Sequence, residues 1–207
     1  MALPEFLDDG PDGAALAFAF AHGAGGPMRS PFMSEVARGI AGAGIRVVRF
    51  EFPYMAARRR RPDPQNVLLD TWRDVVGALG PPSRLVLGGK SMGGRMASMI
   101  ADETGVAGLL CFGYPFHPPG RPDRLRTEHL KTLATPAMIV QGTRDPFGGR
   151  EEVESYGLSR SIRVVWIEGG DHSFKPPARS GRTARENLAE AIAAGVSFLT
   201  RFLASGR

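Results

Sequence analysis

Ser91, Asp145 and His172 are the residues of this chain whose types, order and surroundings would support nucleophilic chemistry. Ser91 lies in "VLGGKSMGG", where an apolar run stops and a helical pattern begins. Within it "GKSMG", Gly89 to Gly93, fits the glycine-x-serine-x-glycine turn that bends a strand sharply into a helix. Flanking glycines remove the Cβ atoms that would collide across such a turn, and the following helix directs its amides and positive end at the hydroxyl. A serine hydroxyl is a weak nucleophile near neutral pH. It needs a base within hydrogen-bond reach, and the base needs an acceptor that fixes its tautomer and stabilises its cation. His172 in "GGDHSF" and Asp145 in "TRDPFGG" are placed for those roles.

Asp171 is the immediate neighbour of His172, but a short aspartate side chain would have to fold back toward the next residue's ring while that ring points at Ser91. Asp145, arriving from a preceding loop and followed by a proline that restricts its backbone, is the better acceptor. A developing oxyanion requires two donors: the amide of Met92, directly after the serine, and an amide of the glycine loop "HGAGG", for which Ala24 is the candidate. His22 belongs to that loop, His117 to the proline-rich "FHPPG", and His129 to an expected short helix "RTEHLKTL".

These residues fall at the ends of recurring β-type runs: "ALAFAFAHG", "GIRVVRFEFP", "SRLVLGGKS", "AGLLCFGYP", "PAMIVQGTRD" and "SIRVVWIEGGDH". Their near-continuous apolarity predicts six strands in a sheet buried on both faces, as parallel sheets are. Helices are expected between them. Ser30 and Pro31 open one with the stripe Phe32, Met33, Val36 and Ile40, ended by Gly42 and Gly44. Leu68, Trp72, Val75, Val76 and Leu79 mark a second, and Met96, Met99 and Ile100 a third that runs to Gly105. Thr183 and Glu186, at capping-box spacing, begin the last. Alternating strands and helices predict an open α/β sheet, which binds ligands at the carboxyl ends of its strands, where Ser91, Asp145 and His172 arrive.

The chain has 207 residues, 43 % of them hydrophobic, enough for one substantial core, and a single domain over 1–207 is expected. No apolar run is long enough for a membrane span, and "MALPEFLDDG" carries acids and a proline where a signal peptide would be basic and then apolar. Cys111 is the one cysteine, which excludes an intramolecular disulfide and a cysteine-built metal site, and a reducing cytoplasm is the expected compartment. The net charge of +5 comes from dispersed arginines with no nucleic-acid reading motif, so no nucleic-acid partner is expected. "RRRRPDPQ" is the one local charge run. Arg58, Arg59, Arg60 and Arg61 either form a solvated loop or favour an acidic substrate or anionic partner.

Together "HGAGG", "GGKSMGG", "GYPFHPPG", "GTRDPFG" and "GGDHSF" make the sequence, from about Phe18 onward, similar to the α/β-hydrolase superfamily. Within it the chain resembles a compact, dienelactone-hydrolase-like group that includes the hydrolase-like domain of a histone-acetyltransferase complex subunit. The resemblance implies Ser91 as nucleophile, Asp145 as acid, His172 as base, and Ala24 and Met92 as oxyanion amides. Dienelactone hydrolases proper carry a cysteine nucleophile, so their substrate does not transfer. The superfamily's first antiparallel strands are reduced here to "PEFLDDG", which leaves six parallel strands in the order 2-1-3-4-5-6. About twenty residues separate the fourth and fifth strands, an ordinary connection, so no large cap is expected. The resulting shallow site would be lined by Tyr54, Phe116, Phe147 and Phe174, unless these only pack loops.

The expected activity is hydrolysis of an ester, thioester or related acyl bond of a small-molecule substrate, with no metal and no organic cofactor. The alternative is a binding or scaffold protein built on the same fold. The sequence leaves the oligomeric state open.

Overall fold

The computed structural model describes residues 3–204. Among them seven strands form one sheet: β1 (Phe6–Asp9), β2 (Ala17–Ala21), β3 (Arg46–Phe50), β4 (Leu85–Lys90), β5 (Gly108–Phe112), β6 (Ala137–Gly142) and β7 (Ile162–Ile167), in the spatial order β1-β3-β2-β4-β5-β6-β7. The six expected strands are parallel and lie in the expected order. The seventh is a correction. β1 pairs antiparallel with β3 at the sheet edge, Phe6 opposite Phe50 and Asp9 opposite Val47. Charge holds this short acidic strand in place: Asp8 accepts from Arg46 at 2.6 Å and Asp9 from the buried Arg49 at 2.8 Å.

The helices are α1 (Pro31–Ala41), α2 (Pro53–Ala56), α3 (Gln65–Leu79), α4 (Met92–Ser98), α5 (Ala101–Thr104), α6 (Arg150–Glu154) and α7 (Ala184–Ala204). Strands β2, β4, β5 and β6 are buried along their whole length, which explains their unbroken apolar runs. In β2 the alternation is one of size. Ala17, Ala19 and Ala21 face Trp72, Met96 and Ala97 of α3 and α4, while Phe18 and Phe20 face Met33, Ile40 and Phe198 of α1 and α7. Small residues on the first side let α4 settle close to the sheet, and α4 begins immediately after Ser91.

Two helix expectations change. The helix after the serine is interrupted at Met99 and Ile100. The Ser98 hydroxyl donates to the Arg95 carbonyl at 2.7 Å, and the Met99 and Ile100 amides turn back to Met96 and Ala97 in a tighter turn. Around His129 only the single turn Glu128–Leu130 forms, with the imidazole hydrogen-bonded to Ser98 at 2.8 Å. No large cap interrupts the β5–β6 connection. No helix of the described residues is long and apolar enough to cross a membrane.

Candidate active site

Ser91 joins β4 to α4 with φ 52 and ψ −115, a conformation in which a residue with a side chain is strained. The glycines around it are sterically required. A Cβ on Gly89 would sit 2.5 Å from the Ala21 carbonyl oxygen, and one on Gly93 would sit 2.6 Å from those of both Ala21 and His22. The turn is pinned by the Ser91 amide, which donates to the Phe112 carbonyl at 3.1 Å, and by the Trp72 indole, which donates to the Gly93 carbonyl at 3.3 Å.

The structure brings Ser91, His172 and Asp145 together. His172 Nε2 lies 2.8 Å from Ser91 Oγ, and its Nδ1 lies 2.8 Å from Asp145 Oδ2. Asp145 has no accessible side-chain surface, whereas a fifth of the His172 side chain remains exposed. The carboxylate also accepts from the Phe147 amide at 2.8 Å and from Gln141 Nε2 at 3.0 Å, so both oxygens are held from several directions. Gln141 is fixed in turn by a reciprocal pair with the Tyr114 backbone: its Oε1 accepts from the amide at 2.7 Å and its Nε2 donates to the carbonyl at 3.1 Å. Asp171 plays a different part. Its Oδ1 accepts from the Ser173 and Lys175 amides at 2.8 and 2.9 Å, forming the turn that carries His172.

Burial pushes the His172 pKa below its ordinary value of 6.5; the Asp145 hydrogen bond opposes the shift and the nearby Lys90 charge reinforces it. The imidazole is therefore neutral near pH 7, the form able to accept a proton. With an anionic acceptor at Nδ1, that nitrogen carries the hydrogen, which leaves Nε2 free to accept from the serine hydroxyl.

The two nominated amides are free. Neither Met92 N, at the start of α4, nor Ala24 N, in the loop after β2, has a protein acceptor among the described residues. His22, to which sequence reasoning gave no role, and Tyr54, expected to line the site, hold the Ala24 loop. The His22 ring is fully buried and accepts at Nε2 from the Phe52 amide at 3.1 Å, so its Nδ1 donates to the Gly23 carbonyl at 2.7 Å. Tyr54 donates its hydroxyl to the Ala24 carbonyl at 3.0 Å. Tyr54, Phe116 and Phe174 are therefore packing residues, fully buried, rather than walls of the site. Phe147 does line it, its ring 4.2 Å from that of His172.

The cavity at Ser91 measures about 350 Å³ and is walled by Phe32, Met33, Phe147, His172, Lys90 and the 23–26 loop. Lys90 and Gln141 are the functional neighbours the sequence reading missed. The available signal was a polar residue closing an otherwise apolar strand, as in "LVLGGK" and "AMIVQG". A cavity-lining hydroxyl on a strained turn, a neutral imidazole fixed by a buried carboxylate and two free amides can together run nucleophilic attack on an acyl carbon.

Known proteins share this frame. An α/β serine hydrolase homologue from Coxiella burnetii superposes with a TM-score of 0.73 at 21% identity, covering 94% of this chain and 90% of its own. A lidless α/β serine hydrolase from Xanthomonas campestris gives 0.70 at 21% identity, with 93% and 88% covered. A dienelactone hydrolase from Anabaena variabilis gives 0.70 at 21% identity, with 95% and 90% covered. At such identities the likeness is one of fold. The sequence itself goes further, because a family model for the α/β-hydrolase domain matches residues 14–200, from the strand before the Ala24 loop to the last helix. The chain is thus a member of the α/β-hydrolase family, with a dienelactone-hydrolase-like fold and no large cap over Ser91.

Proposed function

We propose that the protein is a serine hydrolase that cleaves an ester, thioester or related acyl bond of a small-molecule substrate. Ser91 is the nucleophile, His172 the base, Asp145 its orienting carboxylate, and the Ala24 and Met92 amides the oxyanion donors. The observation that carries this reading is the unbroken chain Asp145 Oδ2, His172 Nδ1, His172 Nε2, Ser91 Oγ, with 2.8 Å at both ends. Residues 27 and 81 positions apart in sequence meet in it, beside two amides with no protein acceptor among the described residues.

In the first half-reaction Ser91 Oγ bonds the acyl carbon as its proton passes to His172 Nε2. The oxyanion rests on the two amides, and the leaving group departs with the proton from Nε2. In the second, water gives a proton to Nε2 and its hydroxide to the acyl carbon; the proton returns to Ser91 as the acid is released. The residues themselves supply every proton position, so the scheme draws on no metal or organic cofactor.

The test is labelling with a serine-directed fluorophosphonate, together with hydrolysis of short p-nitrophenyl esters. Wild-type protein should do both, and Ser91→Ala neither while keeping its circular dichroism spectrum. A folded wild-type protein inert in both assays would sink the enzymatic reading and favour a binding or scaffold role, since the fold alone does not establish chemistry.

A further inference from the structure

The arginine run is not absorbed by the chemistry at Ser91. Arg58, Arg59 and Arg60 line a second cavity of about 670 Å³, which shares Ala24 and Gly25 with the cavity at Ser91. The two cavities therefore border the same loop at Ala24 and Gly25. The arginine segment is tied to that loop: Tyr54, which opens it, donates its hydroxyl to the Ala24 carbonyl and its amide to Asp63 Oδ2 at 2.8 Å. The other oxygen of Asp63 pairs with Arg59 at 2.7 Å.

The charge here is unbalanced. Asp63 answers Arg59, and Glu51, the single acid lining the second cavity, accepts from the Met28 amide at 3.1 Å. Arg58 and Arg60 have no ion-pair partner among the described residues. Arg58 moreover has φ 55 just past the end of α2, its amide donating to the Met55 carbonyl at 2.8 Å. That left-handed position after a helix is normally filled by glycine, so the chain carries backbone strain to place an arginine at the cavity rim.

We propose that this annex binds an anionic group, a carboxylate or phosphate, at the far end of the acyl half of the substrate; the inference rests on the acyl-transfer reading above. The acyl half is assigned because the leaving group must take its proton from His172 Nε2, and His172 lines the first cavity but not the second. Guanidinium groups suit both anions, since their planar forks match carboxylate and phosphate oxygens. Because these arginines are exposed, their effect is screened by salt and falls on substrate capture rather than on the bond-breaking step.

The experiment compares monoethyl adipate and its ω-phosphono counterpart with ethyl hexanoate, in which a methyl group replaces the anion. Wild-type kcat/KM should favour an anionic ester, and the preference should shrink as salt is raised. In Arg58→Gln/Arg60→Gln, kcat/KM for the favoured anion should fall about tenfold through KM, with ethyl hexanoate within about twofold of wild type. The anion that loses more identifies the group bound. Equal losses on charged and neutral esters, or an anionic preference that survives the double substitution, would overturn the annex. Binding of monoethyl adipate to Ser91→Ala, followed by ligand-observed NMR, separates this failure from that of the hydrolase reading. Arginine-dependent binding without turnover in wild type would retain the annex and reject the chemistry. Absent or arginine-independent binding would reject the annex whatever the turnover.

Discussion

Lys90 Nζ donates to the main-chain carbonyl of His172 at 2.5 Å, so the residue before Ser91 grips the backbone of the histidine whose ring meets the Ser91 hydroxyl. The residue is only 9% exposed, and its Nζ lies 5.5 Å from the centre of the Phe32 ring. Room for it exists because position 113 is a glycine with φ +64. A Cβ there would fall 2.6 Å from Lys90 Nζ and 2.7 Å from the His172 carbonyl oxygen. Burial lowers the Lys90 pKa to about 8, against the attraction of Asp145 and Asp171.

Lys90→Met should therefore fold, remain labelled at Ser91 more slowly, and lose about tenfold in kcat with little change in KM, the value of one charge-assisted positioning bond. The pH profile separates positioning from bulk packing. The Lys90 cation helps hold the His172 pKa down, so its removal should move the acid limb of kcat/KM to higher pH. Wild type should also show an alkaline inflection near pH 8, where Lys90 loses its charge, and the variant should not. An unshifted acid limb in the variant would refute the electrostatic part.

Asp145→Asn and Asp171→Asn should differ sharply. Asp145 meets the imidazole directly and is itself held by Gln141 and the Phe147 amide, so its replacement should leave the fold intact and lower kcat by about ten-thousand-fold. Asp171 braces a turn through two backbone amides, and its loss should cost stability first, with a kcat effect of about tenfold or less. Purified variants assayed on one activated ester decide the matter; a larger loss at Asp171 would reverse the assignment.

Thr183 caps α7 reciprocally. The Glu186 amide donates to Thr183 Oγ1 at 3.2 Å, and Thr183 N donates to Glu186 Oε2 at 2.7 Å. One turn on, Asn187 Nδ2 donates to the Phe174 carbonyl at 2.8 Å, so this helix end also holds the segment carrying His172. Thr183→Ala should lower Tm by about 2 to 4 °C at neutral pH. The Thr183 backbone and hydroxyl hydrogen bonds depress the Glu186 pKa below its ordinary 4.5. The part of this stabilisation that comes from the Thr183 hydroxyl is present above that value and is lost as pH falls through the folded one, so the Tm gap between variant and wild type should narrow in acid. A gap that is constant with pH would show that the Glu186 charge contributes nothing to the cap.

Read locally, the chain already declared much of this. Glycines at 89 and 93 around one serine announce a turn with no room for side chains, because the clashes they avoid lie within a strand and the helix that follows it. The buried runs of β2, β4, β5 and β6 and the threonine-glutamate spacing before α7 are likewise properties of a few neighbouring residues, and they are legible wherever an element's own pattern is strong. The order of the strand ends also nominated Ser91, Asp145 and His172 for one edge. Tertiary structure alone decided which groups touch. β1 forms because Arg46 and Arg49, some forty residues away, meet its acids. Tyr54, Phe116 and Phe174 turn inward while Phe32 and Met33 wall the cavity, and Lys90 reaches back to a carbonyl 82 positions on. Those outcomes rest on distances between remote backbone segments, set by how helices and strands pack, and residue type at one position does not encode them.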